Sequence, residues 1–287
     1  MVTEHIGLTI LTEINMKTNR DIKTEIIKNA GIISNRILIG TPATGLVRME
    51  WVAARYGQMI PTNWSNIEYI QYMSSYIPLG FQVNDAENLI AKRVIETGVE
   101  WLLFIESDNV LPPNTFVKLN QYMIKGDVPV VGGLYFTKTQ PPEPMVYRHP
   151  GKGYYADWKL GDKVWCRGLP FGCTLIHASI IKALWDEAPE YQVGSETTRR
   201  VFKHPVAKDD DVGYYNLAGT TDLFFCNEVI TQNIFEKAGW PEYKDKEFPF
   251  LVDTSIFVKH IDNAGNMHPM VLPAEFANGN KTLKDCL

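Results

Sequence analysis

The stretch Trp101-Leu102-Leu103-Phe104-Ile105-Glu106-Ser107-Asp108-Asn109 runs five apolar residues, without alternation, into two carboxylates one residue apart. A continuous apolar run of that length, bounded by turn residues, is the pattern of a strand covered on both faces, as in the middle of an α/β sheet. The residues before it fit a helix. Asn84 is a capping type, Glu87 follows three positions later as in reciprocal capping, and Ala86, Leu89, Ile90 and Val94 share one helical face before Gly98 ends the run. The residues after it predict a second helix, opened by Pro112-Pro113, over 114–125 and closed by Gly126.

Toward the N-terminus, Arg36-Ile37-Leu38-Ile39-Gly40 reads as a strand. The loop Thr41-Pro42-Ala43-Thr44-Gly45 follows it, then a helix over 46–56 stopped by Gly57. That order opens an α/β unit. Toward the C-terminus the spacing predicts a strand at 128–131 and short strands near 145–148, 163–166 and 173–177. A helix over 222–237 and a strand over 254–260 complete the pattern. Residues 187–219 show no period and are rich in Pro, Gly and charge; loops that long are usually functional or mobile. The predicted fold class is α/β, with a mixed, mostly parallel sheet flanked by helices. Residues 1–34 read as an N-terminal extension, partly helical around 21–29. Residues 35–265 read as a single domain and 266–287 as a C-terminal tail.

At 287 residues and 45% apolar content, the chain buries a full core without disulfide or metal staples. Its net charge of −5 argues against a broad nucleic-acid-binding surface. Apolar stretches of about five residues fall well short of the roughly 20 that span a membrane. Met1-Val2-Thr3-Glu4-His5 lacks the basic and apolar regions of a secretory signal, so the expected location is cytoplasmic. Cys166, Cys173, Cys226 and Cys286 form no C-x-x-C pair or zinc-type spacing and are expected to be reduced thiols.

In open α/β sheets, ligands bind beyond the carboxyl ends of the strands, where Glu106 and Asp108 stand. Two carboxylates on such a turn can face one divalent cation, and hard oxygen ligands suit Mg²⁺ or Mn²⁺. A solvated turn is the competing account. Lys208-Asp209-Asp210-Asp211 is a second acidic run, but it follows no buried strand and reads as a solvated loop. His260 ends an apolar strand; its imidazole can complete a metal shell, although a lone histidine is more often structural.

The order of these pieces is informative as a set. Asn88 lies inside a helix, and an apolar strand enters Glu106-Ser107-Asp108. Then come Val131-Gly132-Gly133-Leu134-Tyr135, Gly172-Cys173-Thr174-Leu175-Ile176, Thr221-Asp222-Leu223-Phe224-Phe225-Cys226 and Val258-Lys259-His260. Over residues 36–262 this resembles glycosyltransferases of the GT-A fold, a Rossmann-type arrangement, particularly the compact single-domain type of bacteria and phages. The resemblance implies metal-dependent transfer of a sugar from a nucleotide-sugar donor, UDP- or GDP-linked, to a hydroxyl of a glycan or other acceptor, with Mn²⁺ or Mg²⁺ as cofactor. It implies that Thr41, Pro42 and Ala43 contact the base and ribose, and that Asn88, Glu106 and Ser107 serve the donor side. Asp108 matches the last acid of the family's D-x-D motif and would hold the cation, with His260 completing the shell. Asp222 matches the aspartate of an acidic pair that acts as base in inverting members. Three departures stand out: Glu106 where Asp is usual, Thr221 where Glu is usual, and Glu87 where the family has Arg.

Other accounts stay open on the residues. Asp222 also suits a first-turn acid favoured by the helix dipole. Lys138 is placed either to pair with phosphate or to be solvated, and Tyr154, Tyr155, Trp158, Tyr214 and Tyr215 are candidates to stack on a sugar. A nucleotidyltransferase of related fold should carry a Gly-rich, basic phosphate loop after the first strand, whereas residues 41–46 hold one Gly and no Lys, with Arg48 just beyond. An inactive nucleotide- or carbohydrate-binding protein is the other alternative, and the three departures support it.

Overall fold

The structure is a computed structural model that describes residues 37–64, 74–149, 151–204 and 220–286. The first strand, β1 (Ile37–Gly40), leads to helix α1 (Met49–Tyr56), strand β2 (Ser74–Tyr76) and helix α2 (Val83–Thr97). Next come β3 (Trp101–Ile105), the short β4 (Asn109–Val110), α3 (Thr115–Lys125), β5 (Val130–Leu134), β6 (Lys163–Cys166) and β7 (Cys173–His177). Helix α4 (Ala178–Glu187) precedes a hairpin of β8 (Glu190–Val193) and β9 (Glu196–Arg199). Helices α5 (Thr221–Thr231) and α6 (Ile234–Lys237), strands β10 (Phe250–Phe257), β11 (Lys259–Ile261) and β12 (Met267–His268), and helix α7 (Ala274–Ala277) follow.

The central sheet has seven strands in the order β2-β1-β3-β7-β5-β10-β6. β2, β1 and β3 are parallel neighbours, as are β5 and β10. β7 runs antiparallel between β3 and β5, and β6 closes one edge antiparallel to β10. The sheet is therefore mixed and mostly parallel, with helices on its faces.

The unbroken apolar run of β3 has a direct cause. Leu102 and Phe104 enter one core, with Ile90 and Val94 of α2 and Ile180 of α4. Trp101, Leu103 and Ile105 enter another, with Trp51 of α1 and Phe116 and Leu119 of α3. Both faces are buried, so neither needs polar residues, and each buried Leu or Phe contributes about 1.5–3 kcal/mol of transfer free energy.

Several boundaries differ from the sequence expectation for local reasons. α2 begins at Val83 after Gln82, whose side chain does not cap; Asn84 lies inside the first turn and bonds to Asp85 instead. β5 spans Val130–Leu134 and so continues through Gly132 and Gly133, past the expected end at 131. A Cβ on Gly133 would stand 2.9 Å from Ile256 Cγ2, so this glycine lets β5 and β10 approach closely. The expected helix over 222–237 breaks at Asn233, which has φ 54°. The expected strand over 254–260 begins earlier, at Phe250, and its register against β5 shifts between Asp253 and Phe257. His260 therefore belongs to β11, in a separate three-stranded sheet ordered β12-β11-β4. The 145–148 segment makes only an isolated bridge, Tyr147 with Gly168.

Within the aperiodic region, the β8–β9 hairpin turns at Gly194, φ +60°; its strands are largely polar and exposed, which hid them. The N-terminal extension, the Asp209-Asp210-Asp211 run, Tyr214 and Tyr215 lie outside the described residues. Residues beyond 265 pack back onto the body, where Phe276 is buried against Trp158 at 5.4 Å between ring centroids. Trp158 is thus a core residue, its indole N–H donating to the Tyr155 carbonyl, and is not free to stack on a sugar. The four cysteines are free thiols. Among the described residues, no helix is long and apolar enough to cross a membrane.

Candidate functional site

The parallel strands β1, β3, β5 and β10 direct their carboxyl ends to one side of the sheet, and the chain leaving each brings residues to a common place. A cleft of about 310 Å³ is lined by Pro42, Ala43 and Thr44 after β1, and by Glu106, Ser107 and Asp108 after β3. The loop after β11, Asp262-Asn263, and the residues Arg48 and Phe81 line it as well.

The turn after β3 is held by its backbone. The Glu106 N–H donates to the Gly172 carbonyl at 3.2 Å, and the Glu106 carbonyl accepts from the Trp51 indole at 2.8 Å. Gly172 itself donates to the Tyr135 hydroxyl at 2.8 Å. A Cβ at Gly172 would stand 2.4 Å from both Asn109 Nδ2 and Tyr135 Oη. Gly172→Ala is expected to destabilise the fold by about 1–3 kcal/mol, because the methyl has no space to enter. Denaturant unfolding checks this: a midpoint equal to wild type would show that the turn gives way freely.

Asp108 and His260 meet across this turn although 152 residues separate them. His260 pairs with Asn109 in the β11–β4 register, and the Ile261 N–H donates to the Asp108 carbonyl at 2.8 Å. His260 Nδ1 lies 3.0 Å from the Phe136 carbonyl, which only accepts, so Nδ1 carries the proton. Nε2 then faces Asp108 Oδ2 at 3.2 Å, donating to the carboxylate when the ring carries a second proton and presenting a lone pair when it does not. Lys138 Nζ contacts the same Oδ2 at 2.5 Å, and Asn109 Nδ2 donates to Oδ1 at 3.3 Å. Burial opposes ionisation of Asp108, but the hydrogen bond and charge of His260, with the Lys138 ammonium, outweigh it and hold the carboxyl at about 2.

Glu106 behaves in the opposite way. Burial, followed by the charges of Asp108 and Asp222, pushes its carboxyl up to about 8. Asp222 lies in the first turn of α5, 7% exposed, with Oδ1 accepting from the Leu223 N–H at 2.7 Å. Burial raises its carboxyl also, against the hydrogen bonds it receives. Asp222 does not line the cleft itself, and couples to it through Glu106.

Two of the departures from the family pattern touch each other. Thr221 Oγ1 donates to Glu87 Oε1 at 3.0 Å, and the other Glu87 oxygen is buried without a hydrogen-bond partner among the described residues. Burial and the nearby Asp222 push Glu87 well above the usual carboxylate range.

Of the residues singled out in the sequence, the structure gathers Pro42, Ala43, Glu106, Ser107 and Asp108 at the cleft, with His260 against Asp108. It sends three elsewhere, Asp222 in the first turn of α5 and two more. Thr41 is buried, its N–H on the Tyr76 carbonyl. Asn88 is fully buried: its amide donates to Phe202 O and Tyr191 Oη and accepts from the Phe202 N–H, so its donors fasten β8 and the chain after β9 to α2. Arg48 and Asp262 were missed as cleft residues. Arg48 was visible just past the first loop, but nothing local marks which way a single arginine turns. Asp262 is fully engaged by Asn266 and His268 and holds the turn after β11.

No family model matches the chain, and no curated protein matches it. Among solved structures, A197 from STIV is similar over 79% of this chain and 86% of its own, at 16% identity and a TM-score of 0.47. A glycosyltransferase involved in the glycosylation of the major capsid of PBCV-1 is similar over 76% of this chain and 81% of its own, at 12% identity and a TM-score of 0.32.

Proposed function

We propose that this chain is a metal-dependent glycosyltransferase of GT-A-like fold, moving a sugar from a UDP- or GDP-sugar to an acceptor hydroxyl. One observation carries the reading: Asp108 Oδ2 and His260 Nε2 converge at 3.2 Å beside a cleft at the carboxyl ends of the sheet. A carboxylate and an imidazole whose far nitrogen is fixed by a backbone carbonyl form a donor set that suits Mn²⁺ or Mg²⁺. Among the described residues no larger cluster of metal-ligating side chains occurs, so water and substrate oxygens would complete the shell, as is usual for these cations.

Asp108 and His260 would hold the cation, which supplies Lewis-acid stabilisation of negative charge on a departing diphosphate. Pro42 and Ala43 would form the nucleoside side of the cleft. Glu106, largely protonated near neutral pH, would donate a hydrogen bond to the donor. Asp222 would take the proton of the acceptor hydroxyl; its raised carboxyl makes it a stronger base than a solvated aspartate, and such a group contributes roughly 10²–10⁴-fold.

Thermal melting with nucleoside diphosphates tests the reading. UDP or GDP with Mn²⁺ is expected to raise Tm, and EDTA to remove the gain; indifference to both nucleotides would overturn it. A screen of UDP- and GDP-sugars for Mn²⁺-dependent turnover tests the base. Asp222→Asn is expected to lower transfer at least about 10²-fold with nucleotide binding intact. Transfer near the wild-type rate would leave Asp222 as a helix-terminal acid. The second reading, a nucleotide- or carbohydrate-binding protein without transfer, is favoured by the Glu87–Thr221 contact, and nucleotide binding with no turnover of any donor would select it.

A further inference from the structure

The Asp108 oxygen that faces His260 already has a cation on it, the ammonium of Lys138. Lys138 and His260 are tied to the same segment, since His260 Nδ1 is anchored on Phe136, two residues before the lysine. The backbone around Lys138 is fixed in a tight turn. The Thr137 N–H donates to Glu143 O at 2.8 Å, and the Glu143 N–H returns to Thr137 Oγ1 at 2.9 Å. Met145 N–H donates to Tyr135 O at 3.0 Å just beyond. The mobile part is therefore the lysine side chain, about one-third exposed, on a flexible four-carbon stem.

We propose that Lys138 is an internal counter-ion for the cation seat: it occupies Asp108 Oδ2 until a diphosphate draws it away, so that divalent cation and diphosphate bind as a coupled pair. The inference rests on the reading of Asp108 and His260 as metal ligands. Its logic is charge. With Lys138 in place, a divalent ion entering at Oδ2 meets a unit positive charge on the very oxygen it needs, and its affinity falls. A diphosphate offers the ammonium a more highly charged partner and bridges to the metal, so each ligand improves the seat for the other. Coupling of this kind is reciprocal and typically spans 5- to 150-fold. Lys138 thus acts on the metal through Asp108 and is a positioning residue.

Mn²⁺ titration followed by electron paramagnetic resonance, on the full chain with and without inorganic pyrophosphate, tests this without any turnover assay. In wild type, saturating pyrophosphate is expected to tighten Mn²⁺ binding about tenfold or more beyond the affinity of Mn²⁺ for pyrophosphate alone. Lys138→Gln is expected to bind Mn²⁺ alone about tenfold more tightly than wild type and to lose most of the pyrophosphate effect. Lys138→Arg, which keeps the charge, is expected to retain weak binding and strong coupling. A Lys138→Gln protein with unchanged or weaker Mn²⁺ affinity overturns the proposal while leaving the metal site standing. Absence of Mn²⁺ binding by wild type and both variants, pyrophosphate present or not, overturns the metal reading and this inference with it. Melting curves of the two variants within a few degrees of wild type establish that each is folded.

Discussion

Asp108→Ala is expected to abolish Mn²⁺ binding, and with it the metal-dependent nucleotide gain in Tm, while leaving the fold intact. The carboxylate is the point where the contacts of His260, Lys138 and Asn109 converge. Without it, His260 is the one remaining side chain proposed as a ligand, and the Lys138 ammonium loses its partner beside the seat. Loss of one of two protein ligands lowers metal affinity by at least the 10–100-fold typical of disturbing even a supporting group. Folding suffers far less. The side chain is 39% exposed, and ion pairs that solvent reaches are worth little. The sign of the pH dependence agrees: the carboxyl is held at about 2, so its stabilising contribution is present above its ordinary value of 3.8 and lost only as pH falls toward 2. Calorimetric Mn²⁺ titration with parallel thermal melts at pH 7 separates the two effects. An alanine variant that still binds Mn²⁺ at wild-type affinity would move the metal site elsewhere.

Glu106→Gln is expected to do the reverse, stabilising the fold while weakening the site. Burial pushes Glu106 to about 8, with Asp108 and Asp222 adding repulsion. In the unfolded chain it titrates at its ordinary value of 4.5. Below pH 4.5 both states are protonated and the group is neutral to stability. Between 4.5 and about 8 the unfolded chain ionises and the folded chain does not, so stability declines as pH rises. Glutamine keeps the shape and removes the proton equilibrium. The gain at pH 7 is roughly 2–3 kcal/mol, a Tm rise of about 5 °C or more for a chain of this size. The rise disappears at pH 4.5. Nucleotide binding with Mn²⁺ is expected to weaken, because the carboxyl lines the cleft beside Asp108. Melts at pH 4.5 and 7.5 check the first half, and a lower Tm at pH 7.5 would show that Glu106 is held ionised by the fold.

The sheet was legible because its central strand is buried on both faces, and that leaves an unmistakable apolar run at 101–105. Glycine stops at Gly98 and Gly126 were equally readable, since both adopt the left-handed conformation that favours glycine. The hairpin over 190–199 was not, because exposed strands on a polar surface carry no burial pattern. Nor was the break between β10 and β11, which depends on a register shift against a distant strand. At the site, the acidic turn was visible because it terminates the buried strand. The contact of Lys138 with Asp108 was not, since a lysine 30 residues downstream carries no local sign of the carboxylate it will reach. The Glu87–Thr221 contact shows a related limit: each residue looked like an isolated departure, and only the fold makes them one feature.

The strand connectivity also sets an order of assembly. Asp108 follows β3, the Phe136 anchor follows β5, and His260 arrives on β11, whose pairing with β4 joins segments about 150 residues apart. Contacts of such long range form late and slowly, because loop closure must precede them. A nascent or truncated chain ending before residue 250 holds the carboxylate but neither the imidazole nor the strand that presents it. On the proposed reading, cation capture requires both segments to be in place, and a bound paramagnetic ion would report spectroscopically when the β11–β4 pairing has formed.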